Sequence, residues 1–334
     1  MGKISLLGCG TWGSALIQGL AENGHSIRAW HHKKDVVSAM AASRYHPRLD
    51  QFEFHPNILF EPDLSQAVMD ADQIICAVPS HAVREIMTHL KGKISGEAII
   101  VNVAKGVENG TLDTMSNVIA QAANHSHEYI VSLYGPSHAE EVIGGHPTTL
   151  VSASSSIKSA EKVQSLFSSN ILRVYTNHDI RGVELGGSLK NVIAIAAGIC
   201  DGIGYGDNTK AALMTRGLTE MTRLGEAMGA DTATFFGLSG IGDLIATCLS
   251  QHSRNRFVGE EIGRGKTLPK ILDEMDMVAE GVKTTQSVHD LAEKHQLEMP
   301  ISEGVYQILF SDKDPKKVVS SLMTRDLRHE QIFS

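Results

Sequence analysis

Ile4-Ser5-Leu6-Leu7-Gly8-Cys9-Gly10-Thr11-Trp12-Gly13-Ser14 puts a short apolar run directly before a Gly-x-Gly-x-x-Gly turn. The run reads as a strand. From Ser14 to Asn23 the apolar residues recur at spacings of three and four, which reads as a helix. Strand, glycine-rich turn and helix in that order suit a dinucleotide pyrophosphate. Gly8 permits the tight turn, Gly10 lets a phosphate approach the backbone, and Gly13 brings helix and strand together. The phosphates would rest on the free N–H groups of the helix start. The plainer alternative is an ordinary strand-to-helix turn.

The same alternation continues outward. Lys3–Leu7, His25–Trp30, Gln73–Val78, Ala98–Val103 and Tyr129–Leu133 read as strands, with two more at Thr148–Ala153 and Ile171–Thr176. Helical spacing marks Ser14–Asn23, His81–Leu90 and Leu112–Ala123. Strands in alternation with helices imply a parallel sheet covered on both faces. Beyond about position 180 the strand signals stop. Val183–Ile199, Lys210–Met228, Arg256–Arg264, Thr284–Lys294 and Ile301–Phe310 all read as helices. The expected fold is therefore α/β: a Rossmann-type doubly wound sheet over residues 1–180, then an all-α domain over 181–334.

Composition agrees with two packed domains. The chain has 334 residues, 42% hydrophobic and 20% charged, enough apolar content for large cores. A formal charge of −8 argues against nucleic acid as a partner. Four widely spaced cysteines (Cys9, Cys76, Cys200, Cys248) suit a reducing compartment. The start of the chain is too short in apolar residues for a signal segment, and the longest apolar stretch, Val192–Ile203, is interrupted by Gly198, Asp201 and Gly202. The expectation is a cytoplasmic protein with no membrane insertion. Sixteen histidines are present without any metal-ligand spacing, so no metal is expected. The apolar helices of the second half fit either a homodimer interface or burial within one chain.

Cofactor choice is read at the end of the second strand. NAD sites usually carry a carboxylate about 20 residues after the glycines, to accept from the ribose hydroxyl. Here the segment is Trp30-His31-His32-Lys33-Lys34, and its positive charge suits a 2′-phosphate. NADPH is favoured over NADH, against the alternative of a simple solvated turn. Lys105 closes a strand on the edge where open parallel sheets bind ligands.

In the second half, Glu184–Ala194 is rich in small and apolar residues yet contains Lys190 and Asn191. A lysine facing a dry pocket can be tuned for proton transfer, although it can also snorkel to the surface. Asp243, among glycines and aliphatics, is either a helix cap or a partner for such a lysine. Ser253-Arg254-Asn255-Arg256, ahead of a helix, forms an anion site or an ordinary cap.

Taken together these segments resemble bacterial-type NAD(P)-dependent glycerol-3-phosphate dehydrogenases. The resemblance rests on Gly8–Gly13, Ala77–Ser80, Ala104–Gly106, Tyr134–Ala139, Glu184–Asn191, Gly242–Leu244, Ser253–Arg256 and Ala279–Gly281, in that order along nearly the whole chain. It implies reduction of dihydroxyacetone phosphate to sn-glycerol 3-phosphate, the backbone precursor of phospholipid biosynthesis. It implies Lys190 as proton donor and acceptor, with Lys105, Gly135, Ser137, Asp243, Ser253, Arg254 and Asn255 on the substrate side. Toward the cofactor it implies Gly8, Gly10, Thr11, Trp12, Gly13, His32, Lys33, Lys105, Ala139, Arg254, Val278 and Glu280. Lys33 stands where many relatives have arginine, keeping the charge but losing the planar fork. Two other readings compete: a β-hydroxyacid dehydrogenase acting on a carboxylate, and a non-catalytic NADPH sensor.

Overall fold

The computed structural model describes residues 2–275, 279–327 and 329–330. Its contacts divide the chain into two compact units, Met1–Lys105 with Asp113–Glu184, and Gly106–Leu112 with Leu185–Ser334. Sequence patterning drew the boundary a little earlier and left 106–112 in the first half. That short segment groups with the helical unit because Ser287 Oγ donates to Val107 O and Asn109 Oδ1, at 3.2 and 2.7 Å.

The first unit is an eight-stranded sheet with helices between the strands. In chain order its elements are β1 (Ile4–Leu7), α1 (Thr11–Glu22), β2 (Ile27–Trp30), α2 (Lys34–Ser43), β3 (Ile58–Phe60), α3 (Leu64–Val68), β4 (Gln73–Cys76), α4 (Val83–His89) and β5 (Ile99–Asn102). They continue with α5 (Met115–Ala123), β6 (Ile130–Tyr134), α6 (Ala139–Ile143), β7 (Thr148–Ala153), α7 (Ile157–Phe167) and β8 (Leu172–Asn177). The strand order is β3-β2-β1-β4-β5-β6-β7-β8, so the winding direction reverses between β1 and β4. Apolar side chains alternate between two cores along a strand. Ile99 and Val101 join one cluster while Ile100 joins the other, as a sheet covered on both faces requires.

Register decides what meets at the sheet edge. Trp30, Leu7, Cys76, Asn102 and Ser132 are paired in one row across β2, β1, β4, β5 and β6. Trp30, Leu7, Cys76 and Asn102 end their strands, so the residues that follow them leave the sheet along one edge, while β6 runs on to Tyr134. At the reversal point that edge carries the Gly8–Gly13 turn, the usual ligand crevice of such sheets.

The expectation of a wholly parallel sheet fails at one place: β7 runs antiparallel to β6. Only the five residues of α6 lie helical between them, about 8 Å of helix. That is too little to carry the chain back across the sheet. The 11-residue α7 does so, and β8 is parallel to β7. The edge strand β3 went unread because three residues are too few to set a pattern.

The second unit is helical: α8 (Ile180–Ile203, its first turns in the first unit), α9 (Asp207–Ala227), α10 (Asp243–Leu249), α11 (Arg254–Gly263), α12 (Leu268–Glu274), α13 (Glu280–His295), α14 (Pro300–Phe310) and α15 (Pro315–Met323). The sequence reading ended α8 near Ile199. The helix instead runs on to Ile203, and its glycines serve helix packing. A Cβ on Gly198 would lie 1.9 Å from Arg256 O, and one on Gly202 would lie 2.1 Å from Glu260 O. From the other side, a Cβ on Gly259 would lie 2.0 Å from Ile195 O. Helices α8 and α11 thus meet backbone to backbone along a glycine seam. Among the described residues α8 alone is long and apolar enough to cross a membrane, although Lys190 interrupts its apolar run. An 18-residue window with mean hydropathy 1.4 lies in it, all of it buried inside the protein.

Overpacking a closed contact typically costs about 1–3 kcal/mol, and a backbone–backbone contact has no side chain that can yield. Gly198→Ala is expected to lower stability by at least that order in urea melts. Gly19→Ala, in α1 with nothing within 4 Å of the added methyl, is expected to be neutral or stabilising by up to about 1 kcal/mol.

Candidate active site

On the first unit, Gly8 takes φ +103°, and a Cβ there would lie 2.7 Å from Ala77 O. Gly13 packs against Gly8 O, where a Cβ would lie at 2.5 Å. Gly10 differs from both. It is exposed, adopts a φ of −78° open to any residue, and has nothing within 4 Å of the Cβ position. The protein itself does not demand glycine there, whereas an approaching phosphate does. Helix α1 begins at Thr11 with no side-chain cap and no acid in its first turn. Its first N–H groups and its dipole are therefore available to an anion. These residues fit a dinucleotide. Trp12 packs with Ala15, Ala139 and Val142, which brings two of the expected cofactor residues, Trp12 and Ala139, into one small cluster.

His31 Nδ1 accepts from Lys33 N at 3.1 Å, so its proton sits on Nε2. His31 is driven down to about 4, first by burial and then by the positive charges of His32, Arg48 and Lys33. His32 and Lys33 are exposed beside it. The sequence reading missed His46. Its Nδ1 accepts from Arg48 N at 3.0 Å, leaving Nε2 to donate to Cys9 O inside the glycine turn at 3.3 Å. Burial also lowers its pKa. Nothing in the motif's spacing signals a buttress that arrives from 37 residues away.

Lys105, Gly135 and Ser137 converge. Gly135 takes φ +146°, and its carbonyl accepts from Lys105 Nζ at 2.9 Å and from Ser137 Oγ at 3.0 Å. The Lys105 ammonium also lies 5.7 Å from the Tyr134 ring centroid, a cation–π distance.

On the second unit, Lys190 is buried at 5% exposure and does not snorkel. Its Nζ lies 2.8 Å from Asp243 Oδ1 and donates to Thr247 Oγ1. Thr247 Oγ1 donates in turn to Asp243 O at 2.6 Å. Asp243, which the sequence left as cap or lysine partner, opens α10 and pairs with Lys190. It follows a single π-helical turn, Leu238–Gly242, that rests on α8 at Gly186, where a Cβ would lie 2.8 Å from Ser239 O. Gly186 is one helical turn before Lys190, so this contact sets acid against amine. Thr247 was missed, although Asp243 and Thr247 stand at the i, i+4 spacing of one helix face.

Ser253 caps α11, accepting from Arg256 N at 3.2 Å, so the plainer of its two readings holds for its hydroxyl. Arg254, the first residue of α11, is exposed. Asn255 is buried; its Nδ2 donates to Asn191 Oδ1 and its Oδ1 accepts from Gly281 N, both at 2.9 Å. Asn191, singled out in the sequence only as polar, is thus part of the array. Glu280 starts α13. Val278 lies outside the described residues.

Comparison with known proteins decides the family. Residues 3–160 match the profile of the NAD-dependent glycerol-3-phosphate dehydrogenase N-terminus, and residues 179–320 match that of the C-terminus. The chain belongs to the NAD-dependent glycerol-3-phosphate dehydrogenase family. It is 49% identical over 328 residues to a glycerol-3-phosphate dehydrogenase (NAD(P)+) of Thermoanaerobacter sp. (strain X514), covering 98% of both chains. It is 50% identical over 330 residues to one from Salinibacter ruber, covering 98% of this chain and 96% of the relative. A crystal structure of glycerol-3-phosphate dehydrogenase from Coxiella burnetii superposes with a TM-score of 0.93 at 37% identity, over 97% of this chain and 99% of that one. Like the rest of this family, the chain is an oxidoreductase that uses NAD(P).

The low pKa of His31 has a consequence for stability. An unfolded histidine titrates near 6.5. Between pH 6.5 and about 4 the unfolded chain therefore binds the proton and the folded one does not, and stability falls as pH drops through that window. His31→Asn keeps an acceptor for Lys33 N but cannot titrate. Urea melts across this range are expected to give a flatter pH dependence for the variant than for the parent.

Proposed function

We propose that this protein reduces dihydroxyacetone phosphate to sn-glycerol 3-phosphate, supplying the backbone of glycerophospholipids in the cytoplasm. The observation that carries this reading is the Lys190–Asp243–Thr247 cluster: a buried ammonium held by a carboxylate and a hydroxyl in a family of NAD(P)-dependent dehydrogenases. When bound, NAD(P)H supplies the hydride that adds to C2 of the ketone. Lys190 donates a proton to the alkoxide that forms at the C2 oxygen, and Asp243 and Thr247 hold its Nζ in place for that transfer. Lys105, held at the Gly135 carbonyl, adds positive charge to stabilise the same oxygen.

Arg254 and Asn255, at the start of α11, bind the substrate phosphate with the N–H groups of the helix start. Binding at this remote group orients the carbonyl, so part of the phosphate's binding energy lowers the barrier rather than the Michaelis constant alone. On the cofactor side, Gly8–Gly13 with Thr11 and Trp12 take the pyrophosphate, and Ala139, Val278 and Glu280 complete the dinucleotide site. His32 and Lys33 attract a 2′-phosphate, and the lack of a carboxylate after β2 favours NADPH. All four cysteines are buried and unpaired, in keeping with a reducing compartment.

The test is oxidation of NADPH and NADH by the purified protein with dihydroxyacetone phosphate, followed by loss of nicotinamide absorbance. Substrate-dependent turnover, faster at low cofactor with NADPH, is expected; cofactor binding without turnover would refute the reading. Lys190→Ala is expected to lower kcat by roughly 10²–10⁴-fold while leaving NADPH affinity nearly intact. Arg254→Ala is expected to raise the KM for the phosphate ester by roughly ten- to hundred-fold, the loss of a charged hydrogen bond.

A further inference from the structure

Glu184 is a buried carboxylate, 1% exposed, for which the reaction above has no use. Several hydrogen bonds converge on it. Oε1 takes Ser132 Oγ at 2.7 Å, Ser116 N at 2.9 Å and Asn102 Nδ2 at 3.1 Å, and Oε2 takes Ser116 Oγ at 2.7 Å. Burial pushes its pKa up, while these donors pull it back. No other buried acid among the described residues draws on so many separate segments, and one of its partners leads directly to Lys105.

That partner is Asn102, the last residue of β5. A carboxylate oxygen can only accept, so Asn102 must turn its Nδ2 toward Glu184 and its Oδ1 away. Oδ1 then accepts from Ala104 N at 3.0 Å, closing an Asx turn two residues long. Asn102 Nδ2 also donates to Tyr134 Oη at 3.0 Å, and Tyr134 Oη donates to Ala104 O. Both backbone groups of Ala104 are thereby fixed, and Lys105 is the next residue. Its ammonium ends against the Gly135 carbonyl and the face of the same Tyr134 ring. Were Asn102 to flip, its oxygen would face the carboxylate and its amide would face Ala104 N–H, losing both bonds.

We infer that Glu184 is a positioning residue for the reaction: by dictating the orientation of the Asn102 amide it sets the Ala104–Lys105 turn and so aims the Lys105 ammonium. The inference rests on the proposed role of Lys105. Glu184→Gln keeps one acceptor oxygen and is expected to retain most of kcat. Glu184→Met keeps none and is expected to lower kcat by roughly ten- to hundred-fold, the scale of a small misplacement of a reacting group, with NADPH affinity unchanged.

The experiment is a double-mutant cycle with Lys105→Met, reading kcat, the KM for dihydroxyacetone phosphate and NADPH affinity by fluorescence titration. If Glu184 acts through Lys105, the double variant turns over no more slowly than Lys105→Met alone. Additive losses, as a general loosening of the fold would give, overturn the inference. A Lys105→Met variant with wild-type turnover would instead overturn the role of Lys105 itself. If Glu184→Met does not bind NADPH, Asn102→Ala, which removes the relay one step later, takes its place in the same cycle with the same two outcomes.

Discussion

The helical unit depends on how closely other backbones approach α8. Most helix pairs are kept 8–10 Å apart by side chains; α8 instead meets α11 where Gly198, Gly202 and Gly259 bring main chain onto main chain. The π-helical turn before α10 also comes close at Gly186, and the start of α13 does so at Gly281, whose Cβ would lie 2.8 Å from Asn191 O. These contacts leave little freedom for the residues they flank. Asp243 and Thr247 come to Lys190 from the turn over Gly186, and Asn255 comes to Asn191 from the far end of the seam. The side chains proposed to handle the substrate's proton and phosphate therefore sit on elements clamped by backbone contact.

Charge inside this protein is managed in two ways. Asp243 is buried with an ammonium, a pair whose breaking typically costs about 3–5 kcal/mol because the survivor stays buried and unmatched. Glu184 and Glu220 are buried with N–H and O–H donors. Glu220, in the middle of α9, accepts from Ile301 N, Ser302 N and Ser302 Oγ at 2.7–3.0 Å and so closes the start of α14. The first arrangement fixes an ammonium in place. The second ties separate segments together through hydrogen bonds.

Much of this was legible in the chain. The Gly8–Gly13 turn and the alternation around it placed seven of the eight strands, since each is a short and mostly apolar run. The short edge strand β3 and the antiparallel direction of β7 were not readable, because the first has too few residues for a pattern and the second depends on a connection's length. Lys190, Asp243, Arg254 and Asn255 were readable as polar residues in apolar or glycine-rich settings. Asn191 was readable in the same way, but Thr247, His46 and Asn102 were not, because a threonine, a histidine and an asparagine carry no local signal until register and packing show what they face. The glycines of α8 carried a meaning the sequence did not show: read only as interruptions of an apolar stretch, Gly198 and Gly202 are the places where another helix touches it.

The proposed chemistry depends on Lys190 as the group that moves the proton, and the most direct measurement is chemical rescue. Lys190→Ala leaves space beside Asp243 and Thr247 that a small primary amine can fill. Turnover of the variant is expected to recover with added alkylamines, saturably, and to vary with amine basicity once size is accounted for. Turnover that stays at the level of the variant with every amine, while the protein still binds NADPH and dihydroxyacetone phosphate, would contradict the assignment and leave the buried lysine as structural support.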